Sequence, residues 1–453
     1  MRLADLADAR VAVWGYGREG RAALAALRKR FPDKPLTLFC SEAEAQSVRP
    51  AGVTAATAAP AAAMLERFEI VVKSPGVSPY QPSISAAEAA GVRFISGSAL
   101  WFAENPHART ICVTGTKGKS TVSALIAHIL RKSGKCVALA GNIGMPLLEL
   151  LDPPRAPDWW VIELSSFQTR DFGGAPSVAV INNLYEDHLD WHGTRERYLA
   201  DKLAIGARAN ALVVNAQPEL LARVAGAPTL SMFGDAAGWH AREDGIWRGN
   251  ERVLAVAGIP LRGRHNAQNV CAALAALEAA GEDAHVLARH VATFKALPHR
   301  LQVLGACAGV EYVNDSISTT PYATIEALRA FGKRAITVIV GGFDRGVDWN
   351  PFAKYVMQNP PRAIIATGAN GARIVETLCA IEAPGFMLVS APTLGDALVT
   401  ARTLTPPGGI ALLSPGAPSF DQFRDYAERG REFARLAGFD AAAIAQIDGL
   451  GIA

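Results

Sequence analysis

Apolar residues along this chain come in short unbroken runs more often than in strict alternation. Val11–Trp14, Leu36–Phe39, Ile70–Lys73, Thr110–Val113, Val137–Ala140, Trp159–Ile162, Val178–Asn183, Ala211–Val214, Ala335–Val340, Ala363–Ala366 and Gly409–Leu413 each read this way. Runs of this length, bounded by glycine, proline or polar residues, predict strands covered on both faces, as in parallel sheets. Between them, Arg18–Leu27, Val122–Leu130, Tyr198–Ile205 and Val270–Leu277 carry apolar residues at helical spacing. Strands alternating with helices predict an α/β protein built on parallel sheets.

Length and punctuation divide that pattern. At 453 residues the chain is long enough for three domains of roughly 150 residues each. The polar, proline-containing Glu104–Ala108 and the segment Leu297–Arg300 place the boundaries, giving domains over 1–106, 107–300 and 301–453.

The central chemistry lies in Val113–Thr121, a strand, a glycine loop and a helix in succession. Gly115 and Gly118 let the backbone turn tightly, the helix N-terminus adds positive potential, Lys119 supplies a point charge, and Ser120 or Thr121 offers a hydroxyl to Mg²⁺. Val113 stands where the strict phosphate-loop pattern has its first glycine, so strand-loop-helix order carries the reading. A polyphosphate cradle is the expectation.

Other candidates fall at strand ends, where ligands bind in open α/β sheets. Gly15-Tyr-Gly17-Arg18-Glu19-Gly20 follows the first strand as a diphosphate fingerprint, and Ser74-Pro75-Gly76 follows Ile70–Lys73. The second strand leads to Cys40-Ser41-Glu42 with no clean ribose-binding acid, which favours a Rossmann-like domain without dinucleotide redox chemistry. Glu163 ends Trp159–Ile162 where a carboxylate could hold Mg²⁺ on a nucleotide, and His188 follows the next strand as a second-metal candidate. Lys202, taken alone, reads as a solvated helix residue. Asn266 and Asn269 precede an apolar helix that they could cap, or they could read a base edge, and Arg300 is a candidate clamp on a transferring phosphate. The third domain repeats the arrangement, with Asn314-Asp315-Ser316, Gly341–Arg345 and Ser414–Ser419 after its strands.

Composition adds bounds. A net charge of +3, dispersed along the chain, gives no nucleic-acid tract and no polybasic membrane anchor. No stretch has the apolar length of a membrane span or of a signal peptide, so a cytoplasmic protein is expected. Six cysteines without a Cys-x-x-Cys pair read as reduced core residues.

With these landmarks in order, the chain resembles the Mur ligases of peptidoglycan synthesis, in particular those that add glutamate to UDP-N-acetylmuramoyl-L-alanine. The likeness spans essentially the whole chain. It is carried by Gly115–Thr121, Gly141–Gly144, Glu163–Gln168, Glu186–His188, Lys202, His265–Asn269, His299–Arg300, Asn314–Ser316, Ser414-Pro415 and Asp421–Phe423. It implies three α/β domains: a Rossmann-like N-terminal domain for the UDP-substrate, a central phosphate-loop ATPase domain, and a Rossmann-like C-terminal domain for the amino acid.

The resemblance also implies roles. Gly115, Thr116, Lys117, Gly118, Lys119, Ser120 and Thr121 would bind ATP, with Asn269, Arg300 and Asp315 on the nucleotide. Ser120 or Thr121 with Glu163 would hold one Mg²⁺, and His188 with Lys202 the second. In the family the matching lysine is carbamylated by CO₂, which turns a cation into a metal-binding anion. Lys119, Lys202, His188 and Arg300 would carry catalysis. Gly17, Arg18, Glu19, Gly20, Ser74, Pro75, Gly76, Asn142 and Ser165 would hold UDP-N-acetylmuramoyl-L-alanine, while Thr319, Arg345, Ser419, Phe420 and Tyr426 would hold glutamate. A monomer with no nucleic-acid partner and no membrane insertion is implied.

Departures from the family pattern gather at the amino-acid site, where Ile317 and Arg345 replace lysines and Phe420 and Tyr426 replace Leu and Phe. Lys117 replaces a common asparagine, and Glu42 stands where some members have a uridine-side arginine. Trp14–Arg21, Thr37–Cys40, Ala99–Phe102 and His188–Gly193 look more like a branch that adds L-glutamate than like the one that adds D-glutamate. The alternatives are the D-glutamate reaction, a folylpolyglutamate-synthase-like ligase, and a non-catalytic nucleotide-binding protein.

Overall fold

The computed structural model describes residues 1–48, 52–185, 187–224, 226–227, 229–381 and 384–453, and their strands form three sheets. The chain packs into two compact units, one of residues 1–258, 268–292 and 449–453, the other of residues 259–267 and 293–448.

The first unit holds two sheets. In the first, Val53–Ala56, Leu36–Phe39, Val11–Trp14, Ile70–Lys73 and Arg93–Ile95 lie side by side, all parallel. The strand order reverses between Val11–Trp14 and Ile70–Lys73, and a crevice for a ligand opens at the C-terminal ends of strands flanking such a point. The strand Val53–Ala56 was not expected, because its residues are small and partly exposed.

The second sheet has ten strands. Its parallel centre runs Ala211–Asn215, Val178–Ile181, Thr110–Thr114, Trp159–Glu163, Val137–Gly141, the apolar runs of the sequence, and most of their residues are fully buried. Buried strands of this kind have no polar face to alternate with. Gly451–Ile452 closes one edge antiparallel to Val137–Gly141. Beyond the other edge, Leu230–Phe233 and then Trp239–Arg242 add in parallel, and Gly245–Arg248 and Glu251–Ala255 extend the sheet as an antiparallel ribbon.

The second unit contains a six-stranded sheet, parallel except for the edge strand Gln302–Cys307, which pairs antiparallel with Val310–Asn314. Its loops after Val310–Asn314, Ile336–Val340 and Ile410–Leu413 come from adjacent strands. The cysteines depart from expectation. All six are free, but only Cys112 and Cys271 are buried, whereas Cys307 and Cys379 are exposed.

Candidate active site

The phosphate loop leaves the middle of the second sheet and enters the helix Lys119–Lys132. Gly118 takes the left-handed conformation at φ 81°, and a Cβ there would lie 2.3 Å from Asn269 Oδ1 and 2.5 Å from Asn182 Nδ2, so only glycine fits. Asn269 is corrected here. It sits inside the helix Arg264–Ala279 and caps nothing; it is buried, and its Oδ1 accepts from Asn182 Nδ2 at 2.9 Å. Asn183 Oδ1 accepts from the backbone N–H groups of Thr116 (3.0 Å) and Lys117 (2.8 Å). The Thr116 hydroxyl lies 2.6 Å from that of Tyr198 and also accepts from Tyr185 N–H. These strand-end asparagines and Tyr198 hold the loop, and sequence reasoning passed over them. Lys119 Nζ donates to Thr116 O at 3.0 Å, which folds its charge back over the loop.

Lys202 is the largest correction. Far from being solvated, it is 2% exposed, and its amine donates to Gly115 O at 2.9 Å. Burial first, then the nearby charge of Lys119, holds its pKa well below the usual lysine value. The helix Arg195–Leu203, N-capped by the Thr194 side chain, delivers it.

Glu163 ends its strand fully buried. Its Oε1 accepts from Asn142 Nδ2 at 2.8 Å, while Oε2 has no partner among the described residues. An orphaned buried carboxylate oxygen on the strand paired with the one that leads into the phosphate loop fits a hard cation such as Mg²⁺, which binds through one or two carboxylates, phosphate oxygens and waters. His188 has φ 53° and a half-exposed ring, and burial followed by the repulsion of Lys119 outweighs Asp187 and lowers its pKa, favouring the neutral, ligating imidazole. Among the described residues no three His, Cys, Asp or Glu side chains converge as a metal cage. Glu186, part of the Glu186–His188 stretch, lies outside the described residues.

A second network was not expected. His192 is fully buried, with Nδ1 2.7 Å from Asp201 Oδ2 and Nε2 3.0 Å from Ser166 Oγ. Asp201 also accepts from the Tyr80 hydroxyl at 2.8 Å and pairs with Arg170 at 3.3 Å. This ties the turn after Glu163 to the helix that carries Lys202. Nearby, Ser165 Oγ and N–H donate to Gln168 Oε1, and Gln168 Nε2 donates to Glu19 Oε1 at 3.0 Å. Ser165 and Glu19, both expected at the UDP-substrate, therefore share one chain of hydrogen bonds.

The crevice of the first sheet brings its expected residues together. Ser74 Oγ donates to Gly15 O at 3.2 Å, and a Cβ on Gly20 would strike Gly15 O. Gly17, by contrast, precedes the helix Arg18–Arg30 in open space. Arg18 reaches Gly144 O at 3.4 Å. The Lys73–Tyr80 segment is fastened by Lys73 to Asp171 (2.7 Å), by Ser78 Oγ to Trp191 O (2.7 Å) and by Tyr80 to Asp201. Pro75 and Gly76 lie between these ties, half-buried and exposed respectively, and Glu42 is exposed.

In the second unit Asp315 is buried and accepts from Ser318 Oγ, Ser414 Oγ (2.9 Å) and Leu301 N–H (3.1 Å). Burial pushes its carboxyl up to about 6. Both oxygens thus serve strand-end loops. Arg345 is exposed, Thr319 half-buried, and Ser419 Oγ buried without a partner among the described residues. Phe420 is exposed and stands edge-on to Phe343 at 6.4 Å, and Tyr426 begins the helix Tyr426–Ala437, its carbonyl accepting from Ser316 Oγ at 2.7 Å. Arg300 lies in this unit, half-buried.

The Mur ligase middle domain matches residues 113–277, the stretch that runs from the phosphate loop past Glu163, His188 and Lys202 to Asn269. Similarity to curated relatives extends over the full length of the chain, at 50% identity. The chain belongs to the Mur ligase family. It is 50% identical to the UDP-N-acetylmuramoyl-L-alanine–L-glutamate ligase of Xylella fastidiosa strain Temecula1 and 50% identical to the protein of the same name in Xanthomonas euvesicatoria pv. vesicatoria strain 85-10, in both cases covering 100% of the two chains. In fold it is similar to the UDP-N-acetylmuramate–alanine ligase of Thermotoga maritima, with a TM-score of 0.61 and 18% identity over 95% of this chain and 99% of that one.

Proposed function

We propose that this protein is an ATP-dependent ligase that joins L-glutamate to UDP-N-acetylmuramoyl-L-alanine, in the cytoplasm, as a step of peptidoglycan precursor synthesis. The observation that carries the reading is the full-length 50% identity to L-glutamate ligases, in a chain whose phosphate loop is faced by a buried lysine amine and an unpaired buried carboxylate oxygen. Domains over 1–106, 107–300 and 301–453 would hold UDP-substrate, ATP and glutamate in turn.

The chemistry follows from charge. The alanyl carboxylate oxygen attacks the γ-phosphorus of ATP, the bond to the β–γ bridging oxygen breaks, and ADP leaves an acyl phosphate. The deprotonated amine of glutamate then attacks the acyl carbon, and the tetrahedral intermediate expels inorganic phosphate. Lys119 and the phosphate-loop helix N-terminus stabilise charge on the transferring group. Bound Mg²⁺ would neutralise charge on the triphosphate, held by Ser120 or Thr121 with Glu163, and by His188 with a carbamylated Lys202. The lowered pKa of Lys202 supports that modification, since only a neutral amine attacks CO₂. Asn142, Ser165, Gly17 to Gly20 and Ser74 to Gly76 would orient the UDP-substrate; Asn269, Arg300 and Asp315 the nucleotide; Thr319, Arg345, Ser419, Phe420 and Tyr426 the amino acid.

The test is phosphate release with ATP, Mg²⁺ and UDP-N-acetylmuramoyl-L-alanine, comparing L- with D-glutamate. Turnover with L-glutamate alone is expected. Turnover with D-glutamate alone would overturn the stereochemistry, and release with neither would overturn the ligase reading.

A further inference from the structure

Arg429 is a buried cation whose hydrogen bonds all go to neutral oxygens. It lies on the helix Tyr426–Ala437, 3% exposed. Its Nε donates to Ser316 Oγ (3.0 Å), Nη1 to Pro418 O (3.2 Å), and Nη2 to Ser316 O (2.8 Å) and Ala417 O (3.0 Å). No described carboxylate forms an ion pair with it, and Asp421 acts on it only at longer range. Burial lowers its pKa to about 10, which leaves it charged at neutral pH.

Holding carbonyls together does not require a charge. A buried, unpaired cation costs more than a neutral amide of similar reach. What the charge faces is therefore informative. Ser316 leads into Thr319, and Ala417-Pro418 leads into Ser419, whose buried hydroxyl oxygen lacks a protein partner. Gly342, on the third adjacent loop, lets Pro418 O and the guanidinium approach, since a Cβ there would lie 2.2 Å from Pro418 O and 3.0 Å from Nη1. Three strand-end loops thus converge on one positive charge, and the one carboxylate among them that acts on it, Asp421, makes no ion pair with it.

We propose that Arg429 is a positioning residue for the amino-acid substrate: it clamps the loops that present Thr319 and Ser419, and its charge draws a substrate carboxylate toward them from behind without touching it. This rests on the reading of L-glutamate as the substrate accepted by the second unit.

The experiment measures the KM for L-glutamate by phosphate release at saturating ATP and UDP-N-acetylmuramoyl-L-alanine. Arg429→Gln loses the charge and keeps at most two of the four hydrogen bonds, so its melting temperature should fall; its glutamate KM should rise about tenfold or more while its ATP KM stays within about twofold. Arg429→Lys places an amine whose pKa burial lowers at the site, so its glutamate KM relative to the parent enzyme should climb with rising pH as that amine loses its proton. An unchanged KM in Arg429→Gln, or a flat ratio in Arg429→Lys, would leave the arginine a structural clamp and overturn the proposal. Should Arg429→Gln not fold, the Arg429→Lys profile decides alone. A parent enzyme that releases no phosphate with L-glutamate overturns the substrate reading itself, a result distinct from any behaviour of the variants.

Discussion

The Lys202 amine donates to the carbonyl oxygen of Gly115 at 2.9 Å, so the helix Arg195–Leu203 and the phosphate loop meet through one buried nitrogen. Lys202→Ala and Lys202→Arg should each lower kcat by about 10²-fold or more, since one leaves a void and the other a fixed cation where the proposed carbamate would be an anion. Steady-state phosphate release checks this. The parent enzyme should slow in CO₂-depleted buffer and recover with bicarbonate, and indifference to CO₂ would remove the carbamate from the mechanism.

The same lysine makes stability depend on pH. Its folded pKa lies well below 10.5, so the unfolded chain binds more protons between those two values and stability rises with pH across that window. Lys202→Met should flatten this slope in urea titrations. An unchanged slope would mean that the amine is hydrated in solution.

Asp201 fixes a tautomer. Its carboxylate accepts from the Tyr80 O–H and forms an ion pair with Arg170, which keeps it an acceptor toward His192, so the imidazole proton sits on Nδ1 and Nε2 accepts the Ser166 hydroxyl. Asp201→Asn should destabilise the protein by about 1–3 kcal/mol by urea denaturation and lower kcat more than any KM, because it loosens the turn after Glu163. A kcat equal to the parent's would separate this network from the site.

Glu19 carries a pH signature. Burial, helped by Glu149 and opposed by Arg18 and Gln168, pushes its pKa from 4.5 up to about 7. The native state then binds more protons than the unfolded chain over that range. Its stabilising contribution is complete below about pH 4.5 and lost as pH rises through about 7, roughly 2 kcal/mol after allowing for partial exposure. Glu19→Gln should abolish that loss in denaturation curves at pH 5.5 and 8. It should also lower the KM for the UDP-substrate at pH 8, where the carboxylate would repel a diphosphate.

Gly118→Ala forces a methyl group against Asn269 and Asn182 at a left-handed position. A loss of about 1–3 kcal/mol is expected, together with loss of the thermal shift produced by ADP in the parent.

Much of this was readable in the chain because buried parallel strands write themselves as apolar runs and phosphate loops need glycine beside lysine and serine. Glu163 and Ser74 each follow such a run directly, and Gly118 lies five residues after one. Lys202 did not announce its burial, because its neighbours Asp201 and Arg197 are charged and only the fold turns Asp201 toward His192 and Lys202 toward Gly115. Asn182, Asn183 and Tyr198 were missed for a related reason: they hold a loop to which they are joined only through the sheet. The ribbon Trp239–Ala255 eluded the apolar-run test because its strands, Trp-His-Ala-Arg, Gly-Ile-Trp-Arg and Glu-Arg-Val-Leu-Ala, mix charges into every few residues, as partly solvated edges do.

The three fastenings of Lys73–Tyr80, through Asp171, Trp191 and Asp201, also bear on how such proteins can recombine. A crossover placed in the polar segment Glu104–Ala108 would join a new first sheet to Asp171, Trp191 and Asp201 from a different parent. Inheritance of the first sheet is thus coupled to residues far along the chain, and a viable chimera must carry those partners with it.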